Sequence, residues 1–308
     1  MIRYSTDGDQ LQLHRLWKDV FHSKQEYINA FFQEYYSSEY TLVYEDGGEI
    51  LSALYMIPYQ LKHKNGVVPA LYLYALATKE QARGRGIMSS LIQEAHTVAM
   101  DRGYACSFLI PAEPGLIRYY NRSGYVDQTP LIEKWESDQS RRLGQSGMDR
   151  DHSMVWRLAD AGEIWDIYQK NMKNESEAIM LSEKQNQFFY RNLLAQNGEA
   201  LVYQNASGDK GYALIQVVKK HSENKSADSD LASQDKKQDN LEATKNKEEY
   251  AEIHIYEISS YGQEREYLIE ALKKRYGINH VSYQQRHIML YPHQNIHLDQ
   301  LYVGRVLT

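Results

Sequence analysis

Apolar residues repeat along the first half of the chain with two different periods. A spacing of three to four residues predicts helices over 11–20, 24–36 and 87–102. Between them, apolar runs predict strands at 40–46, 50–58 and 67–77, with Asp46-Gly47-Gly48 as the first hairpin turn. The segments CSFLIP, GYVDQ and LIEKWE predict further strands, and a short helix is expected at 114–122. This order predicts an α+β fold with a mixed sheet.

The second half repeats this layout after a polar stretch at 138–151, which predicts a linker between domains at 1–137 and 152–308. Helices are expected near 160–171, 182–195 and 262–275, with strands before, between and after them. An α+β domain of another kind is the alternative for this half. Residues 221–248 are charged and contain no aromatic side chain, which predicts a disordered surface insert.

The composition of the chain bears on its partners and its cellular compartment. The 308 residues carry a net charge of −6, which indicates neither a nucleic acid nor an anionic membrane as a partner. The single cysteine, Cys106, lies in an apolar run and is consistent with a reducing compartment. With no apolar signal core at the start and no run of about 18 apolar residues, we expect a cytoplasmic protein. A homo-oligomer is possible.

The most informative segment lies between the third strand and the long helix. Gln81-Ala-Arg83-Gly84-Arg85-Gly86 separates an apolar strand that ends at Ala77 from a helix that begins near Ile87. Glycines admit a close ligand, the first turn of a helix attracts anions, and arginines add charge, so the segment predicts a diphosphate site. Two other kinds of phosphate loop do not match this segment. A Walker loop has Lys-Ser/Thr after its second glycine, which is absent here, and a Rossmann turn has a third glycine where this chain has Ser89.

This loop resembles the Gln/Arg-x-x-Gly-x-Gly/Ala motif of the GCN5-related N-acetyltransferase (GNAT) superfamily. Tyr119 to Tyr125, YYNRSGY, is similar to a second segment of that family, Tyr-x-x-x-Gly-Phe/Tyr. The resemblance covers about residues 1–137 and implies that acetyl-CoA is the co-substrate. It implies main-chain contacts to the pantetheine from Leu76 and Ala77, and a diphosphate loop that consists of Gln81, Arg83, Gly84, Arg85, Gly86, Ile87 and Met88.

The resemblance also implies the catalytic groups. Tyr120 stands at the position of the family's general acid, with adjacent Tyr119 as the rival. Glu113 is the candidate base, at a position where many family members have asparagine, and the terminal carboxylate of Thr308 is another candidate. His96 is expected to be partly exposed and not catalytic. No histidine or cysteine spacing suggests a metal site, since His287, His293 and His297 are irregularly spaced.

Two such domains in tandem resemble acetyltransferases of the enhanced intracellular survival type. Those proteins continue into a sterol-carrier-like domain, which this chain is expected to lack. The second domain is expected to be degenerate, because Gly262 stands alone and Glu264 and Glu266 occupy its corresponding loop. We therefore expect an N-acetyltransferase that acts on a primary amine of a small molecule or of a lysine-type acceptor. The alternatives are a tandem-domain aminoacyl transferase and a non-catalytic acyl-CoA-binding regulatory protein.

Overall fold

The computed structural model describes residues 1–128, 155–204, 208, 210–219, 250–259, 263–278, 281–283 and 288–293. These residues form two compact units. The first unit contains the described residues within 1–151, 160–192 and 285–308, and the second contains those within 152–159 and 193–284. Within the described part of the chain, no helix is both long enough and apolar enough to cross a membrane.

The first unit is built on an eight-stranded mixed sheet in the order β1-β2-β3-β4-β5-β13-β6, with β8 paired to the end of β3. Its strands are β1 (Ile2–Tyr4), β2 (Thr41–Asp46), β3 (Glu49–His63), β4 (Gly66–Thr78), β5 (Cys106–Leu109), β6 (Val126–Asp127), β8 (Ala178–Met180) and β13 (Met289–Pro292). Its helices are α1 (Gln10–Phe21), α2 (Gln25–Glu34), α3 (Ile87–Asp101), α4 (Ile117–Arg122), α5 (Ala161–Asn174) and most of α6 (Glu183–Ala195).

Helices cover both faces of this sheet at its centre. On one face α3 packs against apolar residues of β3 and β4, including Met56, Leu71 and Leu73. On the other face Trp17 of α1 lies 5.3 Å from the ring of Tyr55 and 5.6 Å from that of Tyr74. Because both faces are covered there, β3 is buried continuously from Ile50 to Ile57, and exposed and buried residues alternate only beyond Ile57.

Two strands of the first unit come from the second half of the chain. β8 extends the sheet by pairing antiparallel with β3, from Gln60↔Met180 to Lys62↔Ala178. β13 lies between β5 and β6 and is antiparallel to both. These units therefore differ from the division at 1–137 and 152–308 that the sequence predicts, because main-chain pairing carries later segments into the first sheet.

A buried aromatic and polar cluster holds β13 in place. Tyr291 stacks on His96 of α3 with ring centroids 3.9 Å apart, and His96 Nε2 lies 3.0 Å from the hydroxyl of Tyr125. Gly124 has a φ of +87°, and a Cβ there would come within 2.7 Å of the Tyr291 ring. The glycine of the YYNRSGY segment is thus required both by its own backbone and by the close approach of β13.

The described elements of the second unit are β7 (Val155–Leu158), β9 (Gly198–Gln204), β10 (Lys210–Lys219), β11 (Tyr250–Ile258), α7 (Gln263–Tyr276) and β12 (Val281–Tyr283). The strands form a five-stranded sheet in the order β12-β11-β10-β9-β7, with only the β11–β12 pair parallel. Leu268, Ile269 and Leu272 of α7 pack in the apolar core of this unit.

Most of the predicted helices and strands agree with the structure to within a few residues. Strand β8 has no sequence prediction, and β3 extends past the predicted end at residue 58 because it pairs with β4 as far as His63↔Gly66. The predicted linker 138–151, the insert 221–248, the strand LIEKWE and Thr308 lie outside the described residues. The prediction that His96 is partly exposed is wrong, since β13 and Tyr125 leave it only 6% accessible.

Acidification should destabilise the first unit through His96 and His293. Burial lowers the pKa of both rings from 6.5 to about 4, and the charge of His293 adds to the shift at His96. Below about pH 6.5 the unfolded chain takes up protons that the native state excludes. The free energy of unfolding should therefore fall between pH 6.5 and pH 4, by at most about 1.4 kcal/mol per pH unit for each ring.

The variant His96→Phe separates this effect from packing, because it keeps a ring against Tyr291 but cannot take up a proton. We expect it to be less stable than wild type at pH 7 but to lose less stability on acidification. Denaturant unfolding at several pH values measures how the free energy of unfolding of each protein changes with pH, and this slope is compared between the two. Equal slopes for the two proteins would contradict the assignment of this titration to His96.

Candidate active site

The proposed site lies where β4 separates from β5. The two strands are parallel and pair only from Ala70↔Cys106 to Tyr72↔Phe108, whereas β4 continues to Thr78. Beyond Tyr72, no described strand pairs with β4 on this side. A β-bulge lies in the same stretch, since Ala75 and Leu76 have no one-to-one partner in β3 and Ala75 has a φ of +48°. The bulge thus lies in the last residues of β4, whose main-chain groups on the side of β5 have no described strand partner.

The two predicted pantetheine contacts lie within or directly after this bulge. Leu76 is half-buried against the apolar core that includes α3, and Ala77 is buried. The carbonyl of Ala77 accepts a hydrogen bond of 2.8 Å from Ser52 Oγ. This bond fixes the direction of the strand end, so that the following turn has a defined starting point.

The predicted diphosphate loop is an exposed turn between β4 and α3. Gln81, Arg83, Gly84, Arg85 and Gly86 are all exposed, and only Ala82 is buried. Gly84 and Gly86 have φ values of +76° and +75°, and a Cβ built on either would meet no atom within 4 Å. Glycine is therefore required by backbone conformation, while the space above the turn is open to a ligand.

Helix α3 begins directly at this turn with uncapped main-chain donors. Gly86 is its N-cap residue, without a side chain to cap the helix, and the main-chain bond from Ser90 to Gly86 spans 3.1 Å. The N–H groups of Ile87, Met88 and Ser89 precede that bond and have no partner within the helix. The side chains of Ile87 and Met88 pack in the core, so that these residues can offer a ligand only their main chain.

Two arginines place positive charge beside these donors. The Arg83 Nε group donates to the carbonyl of Thr78 over 3.2 Å. Arg85 lies 3.8 Å from Asp46, and both side chains are at least half-exposed, so that this ion pair holds the arginine only weakly. An open turn, unpartnered N–H groups and two arginines fit an anion of the size of a diphosphate. Among the described residues, no group of three acidic, histidine or cysteine side chains could hold a metal ion.

The helix that carries the second motif lies against the start of α3. The hydroxyls of Tyr119 and Ser89 are 3.0 Å apart. Tyr120 is 7% exposed, and among the described residues its hydroxyl makes no hydrogen bond. Burial, and to a lesser extent Tyr119, raises the pKa of the Tyr120 hydroxyl above its ordinary value of 10. Tyr120 is thus a protonated, unpartnered phenol at neutral pH.

Glu113, the candidate base, lies a few residues before the second motif in the chain. Glu113 is exposed and precedes the 3₁₀ turn Pro114–Leu116 that leads into α4, and its side chain makes no capping hydrogen bond. The motifs around residues 81–88 and 119–125 are brought together by the Tyr119–Ser89 contact, whereas no described contact connects Glu113 to either.

Sequence reasoning missed Ala75 and Ser89. No sequence signal marks Ala75, since alanine rarely adopts a positive φ and the bulge arises from pairing with β3. In the sequence, Ser89 stands out only because it occupies the position at which a Rossmann turn would have its third glycine. Its contact with Tyr119 depends on the packing of α4 against α3, which no local pattern predicts.

Comparison with known proteins identifies the family of the first part of the chain. Residues 1–126 match the family model described as an acetyltransferase (GNAT) domain. Residues 1–126 form a GNAT acetyltransferase domain. The sequence-based predictions of this superfamily and of an acyltransferase are thereby confirmed. No curated protein sequence matches the chain.

Three solved structures share the fold along nearly the whole length of this chain. A probable N-acyltransferase from Enterococcus faecalis V583 has a TM-score of 0.61 and 12% identity, covering 95% of this chain and 70% of that one. A GCN5-related N-acetyltransferase from Anabaena variabilis has a TM-score of 0.61 and 13% identity, with coverages of 94% and 72%. Eis1 from Mycobacterium abscessus has a TM-score of 0.56 and 12% identity, with coverages of 96% and 67%. The mixed-sheet fold and the tandem-domain resemblance are confirmed at the level of fold.

The two glycines of the turn should be replaceable only at a cost in stability. Gly84→Ala and Gly86→Ala should each lower the free energy of unfolding by about 1–2 kcal/mol, because alanine disfavours a positive φ. Steric clash does not contribute, because the space around both positions is open. Gly115→Ala is the control, since Gly115 has no positive φ and its Cβ would come no closer than 4.0 Å to Glu113. Denaturant unfolding measures the three changes, and equal costs at all three positions would contradict the explanation.

Proposed function

We propose that this protein is an N-acetyltransferase that moves an acetyl group from acetyl-CoA to a primary amine. The observation that carries the proposal is the exposed turn at 83–88. Its uncapped N–H groups, positive-φ glycines and two arginines lie directly after the open end of β4. An anion-binding turn next to an unpaired strand end suits a coenzyme with a diphosphate and an amide-bearing arm.

Each predicted site residue has a role in holding the coenzyme. Main-chain groups of Leu76 and Ala77 would bond the amides of the pantetheine arm. Gly84 and Gly86 would let the diphosphate approach, and the N–H groups of Ile87 and Met88 would donate to it. Arg83 and Arg85 would add charge from the open rim of the turn, where Gln81 is also exposed.

Tyr120 would serve as the general acid. Acetyl-CoA supplies an acetyl group activated as a thioester. As the amine nitrogen bonds to the acetyl carbon and the carbon–sulfur bond breaks, Tyr120 would give its hydroxyl proton to the departing sulfur. Its raised pKa keeps that proton in place at neutral pH. Tyr119 is the weaker candidate, because its hydroxyl is bonded to Ser89 while that of Tyr120 has no described partner.

The amine must lose a proton for the reaction to balance. Glu113 is the candidate base, as an exposed carboxylate at the start of the segment that leads to Tyr120. The acceptor class that we propose is a small-molecule or lysine-type primary amine, and the net charge of −6 weakly favours a cationic one. The second half of the chain, which the sequence predicts as a domain at 152–308, is proposed to contribute no catalytic group.

Calorimetric titration with acetyl-CoA should give saturable heat, and a panel of primary amines should release free thiol. Gly84→Glu should weaken binding about tenfold or more, because it adds a negative charge to the anion site. Gly103→Glu is the matched control, since Gly103 has a φ of +75° and equally open surroundings just beyond the other end of α3.

The titration and the amine panel separate the alternatives. Binding without thiol release from any amine would favour a non-catalytic acyl-CoA-binding protein. The absence of heat with acetyl-CoA, or equal losses in the two glycine variants, would overturn the proposed site.

Tyr120→Phe should lower kcat by about 10²–10⁴-fold while leaving the Kd of acetyl-CoA within about twofold of wild type. Because the pKa of Tyr120 is raised, its acid form should persist, and the wild-type kcat should show no loss from this group up to about pH 9. Tyr104→Phe is a suitable control, because Tyr104 is also buried with a raised pKa but follows the opposite end of α3. Steady-state kinetics across pH tests these expectations, and an unchanged kcat would remove Tyr120 from the mechanism.

A further inference from the structure

The contact between Tyr119 and Ser89 links the two motifs of the site. Ser89 is the third residue of α3, one position before the residue whose N–H first bonds to Gly86. Tyr119 is the third residue of the six-residue helix α4. Their hydroxyls lie 3.0 Å apart although the residues are separated by 30 positions in sequence. One hydrogen bond therefore joins the anion-binding end of α3 to the helix that carries Tyr120.

Tyr119 also contacts the proposed acid directly. The rings of Tyr119 and Tyr120 have centroids 5.1 Å apart and an interplanar angle of 72°. Tyr119 packs against the same apolar core as Ile87 and Met88. Its side chain thus touches the acid through its ring and the start of α3 through its hydroxyl.

The short helix depends on such contacts for its position. A helix of six residues is too short to be stable alone, and the 3₁₀ turn before it begins without a side-chain cap. Its orientation must come from tertiary packing. A displacement of about 1 Å in a catalytic group can cost about 10²-fold in rate. A bond that fixes α4 against α3 would therefore affect the rate more than coenzyme affinity.

We propose that Tyr119 is a positioning residue that holds Tyr120 at a fixed separation from the diphosphate-binding turn through its bond to Ser89. This inference rests on the proposed acetyl transfer and deepens it. Tyr119 itself does not touch the reacting atoms. Its ring packs against Tyr120, and its hydroxyl, through the bond to Ser89, fixes the distance between α4 and the start of α3.

A double-mutant cycle with Tyr119→Phe and Ser89→Ala tests the bond, because phenylalanine keeps the ring and removes only the hydroxyl. Each single variant should lower kcat about tenfold, with a change of less than about threefold in the Kd of acetyl-CoA. The double variant should be no slower than the slower single variant, because both changes remove one bond. Ser89→Thr keeps a hydroxyl and should restore most of kcat.

Tyr40→Phe is the matched control. Tyr40 and Tyr104 form a similar hydroxyl pair of 3.1 Å beyond the other end of α3, so that its loss should leave kcat unchanged. An additive cycle, an unchanged kcat in Tyr119→Phe, or an equal loss in Tyr40→Phe would overturn the positioning role. A wild type that neither binds acetyl-CoA nor acetylates any amine would overturn the proposed function, and with it this inference. An active wild type with an equally active Tyr119→Phe would remove only Tyr119.

Discussion

The incomplete pairing of β4 with β5 is the constraint on which the proposed site depends. A parallel pair that ends at Tyr72 leaves the last residues of β4 with a described strand partner on one side only. The bulge at Ala75 redirects the main chain at this point, and Ser52 fixes the end of the strand through the carbonyl of Ala77. The turn and α3 follow directly, so that an open strand end and an anion-binding helix terminus lie in succession. Neither feature alone would accommodate a coenzyme that has both a diphosphate and a long amide-bearing arm.

Within the proposed diphosphate turn, main chain and side chains would have separate tasks. Ile87 and Met88 place their side chains in the core and thereby anchor the first turn of α3, which leaves their N–H groups for a ligand. A helix terminus contributes roughly 0.3–2 kcal/mol toward an anion, so that in the proposed site most of the phosphate affinity would come from direct N–H bonds and arginines. Arg83 and Arg85 suit this task because the described contacts hold neither tightly: one bond to a carbonyl and one exposed ion pair of 3.8 Å.

The sheet of the first unit is completed by β13, which comes from the second half of the chain. β13 pairs with β5 along one edge and with β6 along the other, and Tyr291 fills the space that Gly124 leaves open. His96, Tyr125 and Ser107 form the polar part of this contact, with the hydroxyl of Tyr125 3.0 Å from His96 and 3.2 Å from Ser107. The lowered pKa values of buried His96 and partly buried His293 make the contact sensitive to acid, so that the same cluster that closes the sheet also limits its stability range.

Local patterns in the sequence determined most of the helices and strands, the exposed turn with its glycines and arginines, and the superfamily. These features depend on residues close together in the chain: periodic apolar side chains in α3, and Gly84 and Gly86 at positions of positive φ. Only the tertiary structure decided that β8 and β13 join the first sheet, that Ala75 forms a bulge, that His96 is buried, and that Tyr119 bonds to Ser89. Each of these is a pairing between residues far apart in sequence, and such pairings follow from the packing of whole elements, which no local period encodes.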